Sequence, residues 1–327
     1  MKKLINNPND VENEMIEGFV AAQKSRVKRL GKRTIVIRRE LNPNKVALVS
    51  GGGSGHEPAH MGYVGLGMLD CAVGGAIFTS PSAADVFKGI EAVKSDKGVL
   101  CIVKNYTGDV MTFEMAIDMA RDEGIKVEYV VVNDDVATQD AEIGRRGVAG
   151  TVLVHKIAGA MAETGADLDS VKEIAQRTIN NVRSMGMALT PCTIPANGIP
   201  SFELADSEIE LGIGIHGEPG IQREGITNAD EITRKILDKI LADLDYKDQE
   251  VVVMVNGMGG TPLMELCVVN NFVQNYLNKN GVKIYDTMIG NFMTSIEMAG
   301  FSLTLLRLDK DMKAYYDAAA DTFALKK

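Results

Sequence analysis

Hydrophobic and polar positions follow two alternating periods along the first half of the chain. Short apolar runs such as 99–103 and 127–132 have the length of buried strands, whereas 82–94 and 109–122 carry apolar residues at helical spacing. The same patterns predict helices at 11–28, 151–163 and 168–183 and strands at 34–38, 46–49 and 72–78. Regular alternation of strands and helices is typical of a mainly parallel sheet with helices on its faces.

The rhythm changes after residue 183. Strands are predicted at 187–192 and 208–216 with no helix between them. The remaining predicted elements are a helix at 229–244, a helix that follows the glycine turn 256–260 and ends at about 279, strands at 251–255, 283–289 and 302–307, and a short terminal helix. We therefore predict two α/β domains: a doubly wound, mainly parallel domain over residues 1–184 and a mixed-sheet α/β layer over residues 185–327.

Composition and charge narrow the possible partners. The chain has 327 residues and a net charge of -9, with no basic cluster, so nucleic acid and anionic membranes are poor partners. Its four cysteines form no C-x-x-C pair, which indicates buried thiols in a reducing compartment. No secretory h-region and no long apolar run is present, so we expect a cytoplasmic protein.

One histidine stands at the end of an apolar run, in the stretch Gly212-Ile-Gly-Ile-His-Gly-Glu-Pro-Gly220. The glycines and proline that follow predict a sharp turn, which would place His216 at a strand end with an open approach for a ligand. Glu218 is a candidate for fixing the tautomer of this histidine, provided that its carboxylate reaches the ring. On residue types alone, a packed core or turn histidine is an equally good interpretation.

Ligands of open α/β sheets bind at the carboxyl ends of the strands. Three loops with reactive side chains follow predicted strands: 51–58, 104–109 and 133–135. Taken singly, Asp109 is expected as a helix N-cap and Lys104 as a solvated lysine. Asp134 and Asp135 are expected as turn residues, with a metal site as the less favoured alternative.

Three motif matches fail on their context. His56-Glu-Pro-Ala-His60 fits the zinc pattern H-E-x-x-H, but Pro58 favours a helix that begins there and leaves His56 in the loop. Gly51 to Gly55 lacks the Gly-Lys-Ser/Thr of a P-loop, and Gly212 to Gly217 is followed by a turn where a pyrophosphate needs a helix. We expect this chain to bind no metal and no nucleotide.

The remaining candidates are His56, Lys104, Asp109 and His216. This set suits a small carbonyl compound with hydroxyl groups. A neutral imidazole that attacks a ketone would hold the ligand as a hemiaminal. Asp109 would accept a proton from a hydroxyl that attacks a phosphoryl group, with His56 and Lys104 orienting it. A Schiff-base enzyme using Lys104, such as an aldolase, is an alternative.

At these residues the chain closely resembles the K subunits of bacterial dihydroxyacetone kinases, the substrate-binding subunits of the phosphotransferase-system type. The stretches that carry the resemblance are Met1-Lys-Lys-Leu-Ile-Asn6, Ser50-Gly-Gly-Gly-Ser-Gly-His-Glu-Pro58, Ile77-Phe-Thr-Ser-Pro81, Lys104-Asn-Tyr-Thr-Gly-Asp109, Gly144-Arg-Arg-Gly-Val-Ala149, Pro200-Ser-Phe, Gly212 to Gly220, and Gly300-Phe-Ser-Leu-Thr-Leu-Leu306. They span nearly the whole chain.

The resemblance implies a role for each candidate residue. His216 would be the covalent hemiaminal residue, and His56 and Asp109 would serve acid-base and hydrogen-bonding roles. The residues implied to line the dihydroxyacetone pocket are Gly53, Ser54, Gly55, His56, Lys104 and Asp109.

The resemblance also implies partners. The activity would be that of a phosphoenolpyruvate-dependent glycerone kinase, with ADP or ATP and magnesium on a separate L-type subunit. A phosphoryl-donor protein of the phosphotransferase system would recharge that nucleotide, and the K subunit would form a homodimer. The rival interpretation is a non-catalytic paralogue that binds dihydroxyacetone and activates a transcription regulator.

Overall fold

The computed structural model describes residues 2–138 and 144–327, which form two six-stranded sheets and their helices. The helices are Val11–Ala22 (α1), Ala83–Val93 (α2), Thr107–Asp122 (α3), Thr151–Glu163 (α4), Leu168–Asn181 (α5), Ala229–Asp243 (α6), Leu263–Lys279 (α7) and Lys310–Asp317 (α8). The strands are Val27–Arg29 (β1), Ile35–Arg38 (β2), Ala47–Ser54 (β3), Cys71–Ile77 (β4), Val99–Lys104 (β5), Val127–Val132 (β6), Val182–Ala188 (β7), Glu208–Leu211 (β8), Gln222–Gly225 (β9), Glu250–Gly257 (β10), Lys283–Gly290 (β11) and Gly300–Arg307 (β12). Met1, the first residue of one stretch quoted for the resemblance, lies outside the described residues.

The first sheet is mainly parallel and has the strand order β1-β2-β4-β3-β5-β6. Strands β4, β3, β5 and β6 are parallel, and β1 and β2 add an antiparallel edge. Successive side chains of a strand point to opposite faces, so Val49 of β3 packs with α2 and α3 while Leu48 packs with α4 and α5. Helices on both faces confirm the predicted doubly wound arrangement.

The second sheet is mixed and has the order β11-β10-β12-β7-β8-β9. Only the pair β10 and β11 is parallel among its described strand pairs. Helices α6 and α7 pack on one face through residues such as Ile236 and Val273. The other face shares a core with α4 and α5, to which Met254 of β10 and Leu306 of β12 contribute. The predicted mixed-sheet layer is therefore confirmed.

The division into domains 1–184 and 185–327 stays a prediction. The strand in which that boundary falls, β7, pairs with β12 from Val182 to Ala188. Helix α5 ends at Asn181, two residues before the predicted end, because the chain passes directly into β7. The strand predicted at 187–192 is this same strand, displaced toward the N-terminus.

Other predicted ends were wrong where short strands and glycines are involved. The first helix ends at Ala22 and not at 28, and residues Val27–Arg29 form the edge strand β1. Strand β3 continues beyond residue 49 through the glycines to Ser54, because backbone pairing with β4 does not need side chains. The short strand β9 was not predicted, since four mostly exposed polar residues carry no hydrophobic period.

Candidate active site

Four segments of the first sheet and one hairpin of the second sheet surround a cavity of about 470 Å³. The four segments are the end of β3 and the residues that follow β4, β5 and β6, and the hairpin connects β8 to β9. The lining residues are Gly53, Phe78, Ser80, Tyr106, Thr107, Gly108, Asp109, Thr138, Gly144, Arg146, His216, Glu218 and Pro219. The cavity therefore lies at the carboxyl ends of the parallel strands, where the sequence predicted a ligand.

Lys104 and Asp109 form a buried ion pair beside this cavity. The Nζ of Lys104 donates to Asp109 Oδ2 at 2.8 Å, and the two residues are 0% and 2% exposed. The predictions of a solvated lysine and an N-cap aspartate were therefore wrong. Helix α3 begins two residues before Asp109, with Tyr106 at its N-cap, so the carboxylate lies in the first turn and is directed inward.

His56 is completely buried directly behind the cavity wall. Its Nδ1–H donates to the carbonyl oxygen of Thr294 at 2.8 Å, which leaves the lone pair on Nε2. That Nε2 has no hydrogen-bond partner among the described residues. Burial, with smaller contributions from His216 and Lys104, holds the pKa of His56 well below its usual range, so the ring is neutral.

His216 lies in the tip of the β8–β9 hairpin and not at the end of a strand. Strand β8 ends at Leu211, because Gly212 takes a φ of 74° and turns the chain. The predicted strand 208–216 was therefore five residues too long. The chain folds back at Gly217 and pairs again where Ile221 N donates to Leu211 O at 2.8 Å. The tip carries the imidazole into the cavity.

Glu218 reaches His216 from two residues away. The Nδ1–H of His216 donates to Glu218 Oε1 at 2.6 Å, and the backbone N–H of His216 donates to Oε2 at 2.9 Å. Burial raises the pKa of Glu218, but the interaction with His216, together with a backbone hydrogen bond and the charge of Arg146, outweighs it and lowers that pKa to about 2. A carboxylate that accepts the Nδ1 proton leaves the lone pair of His216 on Nε2.

Two aromatic residues that were not predicted as site residues, Phe78 and Tyr106, complete the wall around His216. Its ring centroid lies 5.3 Å from Phe78, 4.6 Å from Tyr106 and 4.8 Å from His56. Phe78 has a φ of 56°, an uncommon conformation for a bulky residue, and it turns the chain directly after β4. Both aromatics stand in strand-end loops quoted for the family resemblance, and that position was the available signal.

The glycines of these loops make room for the protein's own side chains. A Cβ on Gly52 would lie 2.4 Å from Lys104 Nζ, and a Cβ on Gly214 would lie 2.0 Å from Glu218 Oε2. The ion pair and the carboxylate therefore occupy space that any other residue would fill. This packing, more than the approach of a ligand, explains why these loops contain so many glycines.

The predicted pocket residues of the glycine-rich loop line two different cavities. Gly53 lines the cavity together with Asp109 and His216. Ser54 donates to Gly75 O at 2.7 Å, and with Gly55 it lines a separate cavity of about 330 Å³ under the N-terminal segment. The assignment of these residues to a substrate site stays a prediction.

The two arginines after Gly144 make internal contacts. Arg145 forms an ion pair with Asp243 of α6. Arg146 is 4% exposed, and its Nε donates to Asp135 Oδ2 at 2.8 Å. Asp134 accepts the backbone N–H groups of Val148 and Gly150, each at 2.8 Å. The carboxylates weighed as a metal site therefore bind protein donors.

The H-E-x-x-H stretch forms turns. Gly62 N donates to Pro58 O at 2.7 Å, and only a 3-10 turn, Met61–Tyr63, follows, so the predicted helix at Pro58 was wrong. His60 contacts His155 of α4 through Nδ1 and Nε2 at 3.1 Å, whereas His56 bonds to Thr294. No group of three or more His, Cys, Asp or Glu that could hold a metal occurs in residues 2–138 and 144–327.

The described helices also bear on the membrane question. None of them is long and apolar enough to cross a membrane.

Comparisons with known proteins agree over nearly the whole chain. A family model described as the Dak1 domain matches residues 17–324. The chain is 51% identical over 314 residues, 95% of each chain, to a protein of Listeria innocua named "PTS-dependent dihydroxyacetone kinase 1, dihydroxyacetone-binding subunit DhaK".

Solved structures are similar in fold at lower identity. The "Dihydroxyacetone kinase operon co-activator Dha-DhaQ" is 37% identical with a TM-score of 0.91, over 95% of this chain and 97% of that one. The dihydroxyacetone kinase of C. freundii is also 37% identical with a TM-score of 0.91, over 99% of this chain and 60% of that one.

Proposed function

The chain belongs to the family of Dak1-domain proteins, and from that premise we propose that it is the dihydroxyacetone-binding subunit of a phosphotransferase-system-dependent kinase. The observation that carries the proposal is the geometry of His216. Its Nδ1–H is held by Glu218 at 2.6 Å, and its ring lines a cavity large enough for a three-carbon sugar. A neutral imidazole with a fixed lone pair is suited to bind a ketone covalently.

The covalent step is an addition that needs no further reagent. Nε2 of His216 bonds to the carbonyl carbon of dihydroxyacetone, and the carbon–oxygen double bond becomes a single bond. The carbonyl oxygen takes a proton from water, and the Nδ1 proton passes by way of the Glu218 carboxylate at 2.6 Å to water, so that one proton moves in all from nitrogen to oxygen. The product is a neutral hemiaminal whose terminal hydroxyl groups remain free for reaction.

Asp109 and His56 are proposed to act in the phosphoryl transfer that follows. Asp109 lines the cavity and would accept the proton of the attacking hydroxyl, with its carboxylate oriented by Lys104 at 2.8 Å. His56, neutral and with the Nε2 lone pair available, would accept a hydrogen bond from the ligand. The hydroxyl oxygen then bonds to the terminal phosphorus of ATP, and ADP leaves. The bond between Nε2 and carbon breaks, the hemiaminal hydroxyl gives up its proton, Nδ1 regains one, and dihydroxyacetone phosphate is released.

The nucleotide is proposed to be bound with magnesium by a separate L-type subunit. A phosphoryl-donor protein of the phosphotransferase system would restore ATP from ADP. The Listeria relative is named as a PTS-dependent kinase's dihydroxyacetone-binding subunit, which supports this division of labour. A cytoplasmic homodimer is proposed on the family resemblance alone.

The test is a carbon NMR spectrum with dihydroxyacetone labelled at the carbonyl carbon. The wild-type protein should give a hemiaminal signal, and the His216→Ala variant should give only free ketone and its hydrate. A circular dichroism spectrum checks that the variant is folded. A hemiaminal that persists in the variant would move the nucleophile to another residue, and no hemiaminal in either protein would overturn the proposal.

A second candidate function is that of a co-activator that binds dihydroxyacetone without phosphorylating it. The co-activator of the dihydroxyacetone kinase operon is as similar to this chain as the C. freundii kinase is, with a TM-score of 0.91 in both cases, which supports keeping this alternative. Both functions require the adduct on His216, so turnover decides between them. Formation of dihydroxyacetone phosphate when an L-type subunit and ATP are added identifies the kinase subunit, whereas adduct without turnover identifies the co-activator.

A further inference from the structure

Arg146 joins the first sheet to the hairpin that carries His216. Its guanidinium donates to Asp135 from Nε at 2.8 Å and lies 2.7 Å from the same carboxylate through Nη2. The Nη2 group also donates to the carbonyl oxygen of Gly212 at 2.6 Å. The planar guanidinium therefore binds Asp135, its anchor, on one side and Gly212, the first residue of the hairpin tip, on the other.

The same guanidinium lies against Glu218. A Cβ on Gly214 would be 2.6 Å from Arg146 Nη1 and 2.0 Å from Glu218 Oε2, so the cation and the carboxylate share the space over Gly214. Burial acts to raise the pKa of Glu218, the hydrogen bond from His216 lowers it most, and the charge of Arg146 is one of the other causes that lower it.

Asp135, the anchor of Arg146, is itself held by hydrogen bonds. Asp135 accepts the backbone N–H of Ala137 at 2.9 Å, and its own N–H donates to Arg146 O at 3.1 Å. The adjacent Asp134 accepts the hydroxyl of Ser184 in β7 at 2.5 Å, and Ser184 contacts Thr304 of β12 at 2.7 Å. The arginine is therefore tied to the junction of the two sheets.

We propose that Arg146 is a positioning residue for covalent capture of the ligand. By holding the Gly212 carbonyl and facing Glu218, it keeps the hairpin tip in the register in which Glu218 receives the Nδ1 proton and Nε2 of His216 meets the ligand. The role in capture rests on the proposed function, whereas the effect on the imidazole can be measured without any ligand.

The first test is the tautomer of His216 in the ligand-free protein, measured by nitrogen NMR on histidine-labelled samples. The chain has four histidines, and the His216→Ala spectrum identifies the signal. The wild type should show Nδ1–H with a lone pair on Nε2. Arg146→Met should give a mixture of tautomers, because the released tip makes the contact with Glu218 only part of the time.

The matched control is Arg145→Met, which removes the neighbouring arginine and its ion pair with Asp243. It should keep the wild-type tautomer. Because Arg146→Met leaves the buried Asp135 carboxylate unpaired, Arg146→Met combined with Asp135→Asn is tested beside it. Asparagine still accepts the Ala137 N–H, so the double variant retains the local turn while lacking the guanidinium.

The second test is the affinity for labelled dihydroxyacetone. Arg146→Met and the double variant should weaken the adduct by about tenfold or more, the loss of a charge-assisted hydrogen bond, and Arg146→Lys should recover part of that loss. The positioning role would be overturned if Arg146→Met kept the wild-type tautomer and bound dihydroxyacetone with an affinity within about twofold of that of Arg145→Met. If wild type itself forms no adduct, the proposed function fails, while the tautomer still decides on Arg146.

Discussion

The four histidines form two pairs in different surroundings. His56 and His216 have ring centroids 4.8 Å apart beside the cavity, and His60 and His155 have centroids 5.3 Å apart and are buried. Within the described residues, His216 is the one histidine that contacts a carboxylate, that of Glu218. His60 and His155, the inner pair, contact each other through Nδ1 and Nε2 at 3.1 Å.

The difference between the pairs lies in their surroundings, since the side chains are the same. Burial, together with the positive charge of Lys104, lowers the pKa of His60 and of His155, the latter to about 3. Both rings are therefore held in the neutral form. On the proposed function, access to the ligand cavity and a carboxylate partner, and not the imidazole itself, distinguish His216 from the histidines of the inner pair.

The largest expected effect separates the pairs by their role in turnover. His56→Gln should lower the rate of dihydroxyacetone phosphorylation by at least about 100-fold, because a glutamine amide accepts the ligand's hydrogen bond but cannot share its proton as the basic imidazole Nε2 can. The rate is measured with an L-type subunit and ATP at saturating dihydroxyacetone.

The matched control for this experiment is His155→Gln. It changes a buried histidine of the inner pair and should leave the rate constant close to that of the wild type. Equal losses in both variants would show that the two pairs act as one unit and that the distinction by surroundings is wrong.

The next effect concerns stability and belongs to the inner pair. The folded pKa of His155, about 3, lies below the unfolded value of about 6.5, so only the unfolded chain binds a proton between these limits. Stability from this residue is therefore fully present above about pH 6.5 and is lost as the pH falls toward 3. Between about pH 7.5 and pH 5 the loss is about 2 kcal/mol.

Urea unfolding at these two pH values measures that loss. The His155→Gln variant should lose about 2 kcal/mol less than the wild type over the same interval, whatever its stability at neutral pH. Parallel pH dependences would mean that His155 titrates normally and that the inner pair is not held neutral by burial.

The sequence predicted the sheets well because strands buried on both faces leave continuous apolar runs, such as 99–103 and 127–132. It predicted Asp109 at the site because strand ends of a parallel sheet meet, which needs only local periodicity and a rule of topology. His216 was singled out by its glycine-flanked position, and Gly53 was implied by the family resemblance.

The remaining features depend on contacts between distant residues. The inner pair joins positions 95 residues apart, and Arg146 reaches Gly212 across 66 residues, distances at which no sequence period operates. The burial of Lys104 likewise follows from Gly52, whose missing side chain leaves room for the amine. Such features were accessible only from the packed structure.

The smallest expected effect tests the carboxylate that sets the cavity pair apart. Glu218→Gln keeps the size and one acceptor oxygen but removes the charge, and a charge-assisted hydrogen bond is about twice as strong as a neutral one. We expect the dissociation constant of the dihydroxyacetone adduct to rise by about tenfold, measured by titration of the labelled carbonyl signal.

The control is Glu224→Gln, which removes a carboxylate paired with Lys235 elsewhere in the second sheet and should leave the adduct unchanged. Because the tautomer of His216 is fixed by Glu218 in the structure, the loss should reflect a smaller fraction of rings with the lone pair on Nε2. If Glu218→Gln and Glu224→Gln bind dihydroxyacetone equally well, the carboxylate is not what activates His216. His216 would then differ from the inner pair in exposure alone, and access to the cavity would be sufficient to make a histidine reactive.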